Sequence, residues 1–236
     1  MPPVALIAFD LDDTLFPERA FIRGGFRAVS DYLVAAKIAP RPLAADFEAA
    51  FEAGVRGRTF DHVLRASGIG APGDLIERLV QVYRTHRWPG GGRPPDIRLY
   101  ADADRAIDRL AARGLCLGLV SDGAAETQQT KVRALGLADR LDAIVLTGAW
   151  GPEFSKPHPR AFEELTARLK VEPGASVYVA DNPTKDFEGP ARAGWRPSVR
   201  IRRPDGLHRG VPLPPGEPVA ATLDTLDALD AVLMQG

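Results

Sequence analysis

Six consecutive apolar residues, Val4-Ala5-Leu6-Ile7-Ala8-Phe9, end abruptly in the acidic cluster Asp10-Leu11-Asp12-Asp13. A run this short, apolar at every position rather than at alternate ones, fits a central strand buried on both faces of a sheet. Residues 115–120, 143–146 and 176–180 have the same character, and 197–201 is a weaker fifth candidate. Helical patterns lie between them, at 102–113, 125–135, 159–169 and 187–193. The first of these places Ala106, Leu110 and Ala111 on one face and stops at Gly114. Strands alternating with helices in this way predict an α/β fold, a Rossmann-like parallel sheet flanked by helices.

The alternation breaks after the first strand. From about Phe16 to Trp88 the sequence offers helical segments at 19–36, 44–53, 59–66 and 74–86 and no convincing strand. The segments are separated by the breakers Pro40, Pro42, Gly54, Gly68 and Pro72. The expectation is an inserted α-helical domain at 16–93, with the core made of 1–15 and 94–236 and the Pro/Gly-rich stretch 88–95 as the returning linker. Downstream, 202–218 reads as an irregular surface loop and 221–234 as a closing helix. No internal repeat is present.

Composition enters mainly as exclusion. Thirty Lys and Arg against 31 Asp and Glu, a net charge of −1, give no field to attract a nucleic acid polymer or an anionic membrane surface. No uninterrupted apolar segment approaches the roughly 18 residues that a membrane helix requires. Met1-Pro2-Pro3 lacks the basic flank and apolar stretch of a signal peptide. The single cysteine, Cys116, sits inside an apolar run with nothing basic beside it, which suits packing in a reducing compartment. A cytoplasmic location is expected, whereas the oligomeric state is not legible. His62, His86, His158 and His208 show no zinc-like spacing. Arg19, Arg23 and Arg27 fit a solvated helix face as well as an anion contact.

Chemistry-bearing residues recur at the ends of the candidate strands, the edge at which open parallel sheets bind ligands. The first strand delivers Asp10 and Asp12, the second Ser121-Asp122-Gly123. Lys156-Pro157 follows the third, and the fourth ends in Asp181-Asn182-Pro183-Thr184-Lys185-Asp186. An Asp-rich turn taken alone is usually just a turn or a cap. This ordered set, however, resembles the four motifs of the haloacid dehalogenase-like superfamily: DxDxT, then Ser or Thr, then Lys, then a pair of acids. The match runs from Asp10 to Asp186. It departs from the commonest form in the fourth motif, where Ala180 and Asn182 flank the first acid, so whether Asp181 or Asp186 makes the closer metal contact is open.

The resemblance implies a phosphatase with a helical cap inserted after its first motif, acting on a small phosphorylated metabolite such as a sugar phosphate or nucleotide. Phosphoryl transfer needs a nucleophile, cancellation of phosphate charge and an acid for the leaving oxygen. Asp10 is the candidate nucleophile and Asp12 the general acid and base. Crowded carboxylates repel one another unless a cation intervenes, so Mg2+ is expected on Asp10, the Asp12 carbonyl, Asp181 and, directly or through water, Asp186. Ser121, the Asp122 turn and Lys156 would hold the phosphate, and Lys156 would also temper Asp10. Asp13 is expected to be structural. Dehalogenases of the superfamily lack the second acid of the DxD pair, its mutases commonly carry DxDG, and its transport ATPases need membrane helices. A sugar-phosphate mutase and a silent phosphate-binding module remain the alternatives.

Overall fold

The computed structural model describes residues 2–86 and 97–234. The first apolar run forms strand β1, Leu6–Phe9, with all four residues buried. It is followed by helix α1, Glu18–Ala35, and by α2 (Ala44–Glu52), α3 (Thr59–Ala66) and α4 (Gly73–Thr85). The chain then continues through α5 (Ala101–Ala112), β2 (Cys116–Ser121), α6 (Ala125–Ala134) and β3 (Ala143–Leu146). It ends with α7 (Arg160–Leu169), β4 (Ser176–Ala180), α8 (Glu188–Arg192), β5 (Ser198–Ile201), β6 (Val219–Leu223) and α9 (Leu229–Leu233). The chain divides into two compact units, one made of Met1–Glu18 with Pro95–Gly236 and the other of Arg19–Pro94. The expected linker at 88–95 falls outside the described residues. Among the described residues no helix is long and apolar enough to cross a membrane.

The larger unit holds a six-stranded sheet in the order β3-β2-β1-β4-β5-β6, with every neighbouring pair parallel. The chain therefore builds outward from β1 to β3 and then returns to β1's other flank to lay down β4. The reversal opens a crevice at the carboxyl ends of the central strands. Covering side chains account for the unbroken apolar runs. Phe162 and Leu165 of α7 join Leu6, Ala8, Val120, Tyr178 and Trp195 in one buried cluster. Gly118 in β2 is matched to this packing, because a Cβ there would lie 2.6 Å from Leu165. Cys116 packs against the edge of the same cluster.

Two downstream expectations are corrected. The segment at 221–234 is not one helix: residues Val219–Leu223 form edge strand β6, followed by a 3-10 turn at Leu226–Ala228 and the short helix α9. Its alanines suit a helix by propensity. In the fold they take an edge position with alternating half-buried and exposed residues, and pairing with β5 overrides propensity. The segment at 202–218 is irregular but not merely superficial. Arg203 is 4% exposed and donates through Nη2 to the Thr14 carbonyl at 2.7 Å and through Nη1 to Asp102 Oδ2 at 2.6 Å. The Leu207 amide donates to Asp13 Oδ2 at 2.7 Å. These contacts pin the segment to the loop that leaves β1.

The smaller unit is built around aromatic rings. Phe26 of α1 lies 5.7 Å from Phe47 and 6.3 Å from Phe60, and Tyr83 lies 5.8 Å from Phe60. These separations are typical of rings packed edge to face or tilted. Arg19 and Arg23, which the sequence left open as anion contacts, are paired within this unit to Glu52 and Glu48.

Candidate active site

Asp10 is the first residue past β1 and still belongs to the ladder, its amide donating to the Val179 carbonyl at 2.9 Å. Its carboxylate is thereby fixed at the sheet edge, 6% exposed. The chain then turns sharply. Asp13 adopts a left-handed φ of 52°, a conformation that Asp tolerates better than most residues. Its two oxygens accept the amides of Glu18, at 2.9 Å, and Leu207, at 2.7 Å. Asp13 thus fastens the loop and the start of α1, in keeping with its expected structural part. Asp12, between them, projects a half-buried carboxylate.

The other strand ends converge on the same place. Ser121, 1% exposed, closes β2. Asp122 follows and accepts from Thr147 Oγ1 at 2.7 Å, the Lys156 amide at 3.1 Å and Lys185 Nζ at 2.9 Å. Burial pushes the Asp122 carboxyl up, but the charges of Lys156 and Lys185 outweigh it and hold the group below the usual carboxylate range. The turn behind it is tight, since a Cβ on Gly148 would fall 1.9 Å from the Gly123 carbonyl oxygen. Lys156, its side chain fully buried, donates to Asp10 Oδ1 at 2.7 Å and to the Tyr178 hydroxyl at 3.0 Å, and Asp186 Oδ1 lies 2.8 Å away. Burial acts to lower the Lys156 ammonium, but Asp10 and Asp186 more than reverse this and keep it charged.

Asp10, Asp181 and Asp186 form the acid cluster. One oxygen of each lies within 4.8 Å of the others, and all three residues are buried. Burial pushes Asp10 up to about 6, Asp186 adding repulsion and Lys156 opposing it. Burial, then the charges of Asp10 and Asp186, push Asp181 up to about 9. Asp186 Oδ2 accepts the Asn182 amide at 2.9 Å, whereas Oδ1 has its ion pair with Lys156 but no aligned hydrogen-bond donor. Three buried, mutually repelling carboxylates with a spare oxygen are the donor set that a hard divalent cation takes. The residues fit Mg2+.

Above the cluster lies a cavity of about 230 Å³ lined by Asp10, Asp12, Ser121, Asp122 and Asp181 among the expected residues. Lys156 and Asp186 lie beneath it, outside its lining. The lining also includes Glu18, which the sequence did not single out, and Asn182, Lys185 and His208, to which it assigned no part in the site. Burial, with Asp12 nearby, pushes Glu18 up to about 8, partly offset by Lys131. Asn182 Nδ2 lies 3.1 Å from His208 Nε2, which fixes that ring nitrogen as the acceptor. Gln128 and Lys131 of α6 were passed over too, although their spacing of three puts them on one helix face. Both reach Asp12: Lys131 Nζ donates to its two oxygens at 2.7 and 2.8 Å, and Gln128 Nε2 to one of them at 3.0 Å.

A profile of haloacid dehalogenase-like hydrolases matches residues 4–194. A glyceraldehyde 3-phosphate phosphatase of Methanopyrus kandleri is 31% identical over 206 residues, which is 85% of this chain and 84% of the relative. A phosphoserine phosphatase of Thermus thermophilus is 32% identical over 148 residues, 63% of this chain and 55% of the relative. Among solved structures, a 2-haloacid dehalogenase from Pseudomonas syringae pv. Tomato superimposes with a TM-score of 0.65 at 27% identity, over 98% of this chain and 99% of that one.

Proposed function

The chain belongs to the haloacid dehalogenase-like hydrolases and is a phosphoric monoester hydrolase of that family, and from this premise we propose that it uses Mg2+ and an aspartyl-phosphate on Asp10 to hydrolyse a small phosphorylated metabolite. One observation carries the reading. The cavity that should receive a dianionic phosphate is lined by the carboxylates Asp10, Asp12, Glu18, Asp122 and Asp181 against the single lysine Lys185. In their ionised forms these groups repel phosphate, and a cation bound with it removes that repulsion.

Asp10, Asp181 and Asp186, with the Asp12 carbonyl, would hold the ion. When bound, it supplies positive charge that draws phosphate oxygens in and keeps the acids ionised. An Asp10 oxygen then attacks phosphorus while the bond from phosphorus to the ester oxygen breaks. Asp12 delivers its proton to that oxygen, which departs as the alcohol. In the second half a water attacks phosphorus, Asp12 takes its proton, and the bond to Asp10 breaks to release phosphate. Lys156, pressed against Asp10 from below, offsets the nucleophile's charge as phosphate approaches, and the Ser121 hydroxyl and the amides of the Asp122 turn bind the phosphate oxygens. We read the helical unit inserted after β1 as the family's cap, which restricts substrates to small metabolites. Asp12 is also what separates this reading from carbon–halogen cleavage, which needs no proton delivered to an alkoxide.

Hydrolysis of an aryl phosphate, with and without Mg2+, tests the proposal. Wild type should turn over only with the metal, and Asp10→Asn should lose at least 10³-fold of that rate. Metal-independent turnover, or an active Asp10→Asn, would reject it.

A further inference from the structure

The Asp12 carboxylate is gripped from a helix that carries none of the family's motif residues. Lys131, with its side chain 5% exposed, donates to both Asp12 oxygens, at 2.7 and 2.8 Å. A lysine is seldom buried unless its charge is matched, so this one is not part of a solvated helix face. Gln128, 2% exposed and one turn earlier on α6, spends both amide hydrogens in the site. One goes to Asp12 Oδ2 at 3.0 Å and the other to Ser121 Oγ at 2.6 Å. The opposite amide orientation would point a carbonyl oxygen at a carboxylate, so the chemistry fixes the assignment.

Two consequences follow from this bridge. Because Ser121 Oγ accepts from Gln128, its own proton is left to be donated, and no acceptor takes it among the described residues. Asp12, held at two oxygens, cannot swing freely about its side-chain bonds. We propose that Lys131 and Gln128 are positioning residues: Lys131 aims the Asp12 carboxyl at the ester oxygen, and Gln128 locks the Ser121 hydroxyl as a donor to phosphate and couples the two. The inference rests on the reading of Asp12 as general acid and base. Its physical sense is pre-organisation, because an acid misplaced by an ångström loses much of its effect while substrate still binds.

The test compares p-nitrophenyl phosphate, whose leaving group departs without a proton, with phenyl phosphate, whose leaving group needs one. Lys131→Met should lose kcat/KM, which reports the steps up to leaving-group departure, at least tenfold more on phenyl phosphate than on p-nitrophenyl phosphate, within the range of general acid catalysis. Lys131→Arg should recover most of the loss. Gln128→Leu should instead weaken inhibition by inorganic phosphate about tenfold, since Ser121 loses its orientation. Equal losses on both esters in Lys131→Met, no loss at all, or unchanged phosphate inhibition in Gln128→Leu would overturn the proposal. Should Lys131→Met not fold, Gln128→Leu, which removes the other hydrogen bond to Asp12, should show an excess loss on phenyl phosphate, and equal losses on the two esters there would overturn the proposal. Asp12→Asn, assayed alongside, separates the failures. If Asp12→Asn shows no leaving-group selectivity, the general-acid reading itself is wrong. If Asp12→Asn is selective and Lys131→Met is not, only the positioning inference falls.

Discussion

Asp181 illustrates how a functional group is held at the expense of the fold that carries it. Its carboxyl, pushed from 3.8 up to about 9 by burial and by the charges of Asp10 and Asp186, keeps a proton that the unfolded chain has already released. Where the native state binds more protons than the unfolded one, stability falls as pH rises. For Asp181 that interval runs from about 4 to about 9. A divalent ion held there, as proposed, would bind the ionised form and remove the penalty. Thermal unfolding from pH 6 to 9 should therefore show a metal-free Tm that declines and a Mg2+-induced rise that grows to several degrees. Asp181→Asn should reduce the first trend, leaving the part due to Glu18, and abolish most of the second. A Mg2+ effect independent of pH would contradict this account. The acids themselves could be picked out in the sequence because strand ends and their carboxylates are local features. The charges around them could not: Glu18, Lys185 and His208 gain their meaning only from the cavity they line.

At the scale of elements, the site depends on segments that look like filler. Arg203, in the irregular stretch before β6, ties the β1 loop to α5 through Thr14 and Asp102. Burial acts to raise Asp102, but the Arg203 guanidinium, the Leu226 amide and the Thr225 hydroxyl together hold it below the ordinary carboxylate range. That stabilisation is present above the unfolded pKa and is lost as pH falls through the folded one. Arg203→Met leaves a buried carboxylate without its counter-charge and should cost about 3 kcal/mol in urea unfolding near neutral pH, with the difference from wild type shrinking below pH 4. Equal stability of the two proteins at pH 7 would remove Arg203 from the fold's supports. Gly148 is a second such point. Its approach to the Gly123 carbonyl leaves no room for a methyl group, so Gly148→Ala should destabilise by about 2 kcal/mol or more and disturb the Asp122 turn, readable as lost turnover.

The same scale shows where the sequence stops informing. The central strands are legible because burial on both faces writes a continuous apolar run. Edge strand β6 has one partner and half-exposed residues, and its Ala-rich stretch carries a helix's propensity. Only pairing with β5 decides its state. Helix α6 is legible as a helix, but Gln128 and Lys131 are indistinguishable from solvent-facing polar residues until Asp12 is placed beside them.

For the whole molecule, the decisive fact is topological. Strands β1, β2 and β4 are adjacent and parallel, and the loop after β3 brings Lys156 to the same edge, so residues as distant in the chain as Asp10 and Asp186 meet. The near-neutral total charge conceals a cavity lined by five acidic residues. The most direct test is a crystal grown with Mg2+ and beryllium fluoride, a mimic of the phosphoryl group. The account predicts beryllium bonded to an Asp10 oxygen, its fluorides within reach of Ser121 and the amides of the Asp122 turn, and the metal shared by Asp10 and Asp181. Beryllium fluoride bound elsewhere, or a metal at another set of acids, would contradict it.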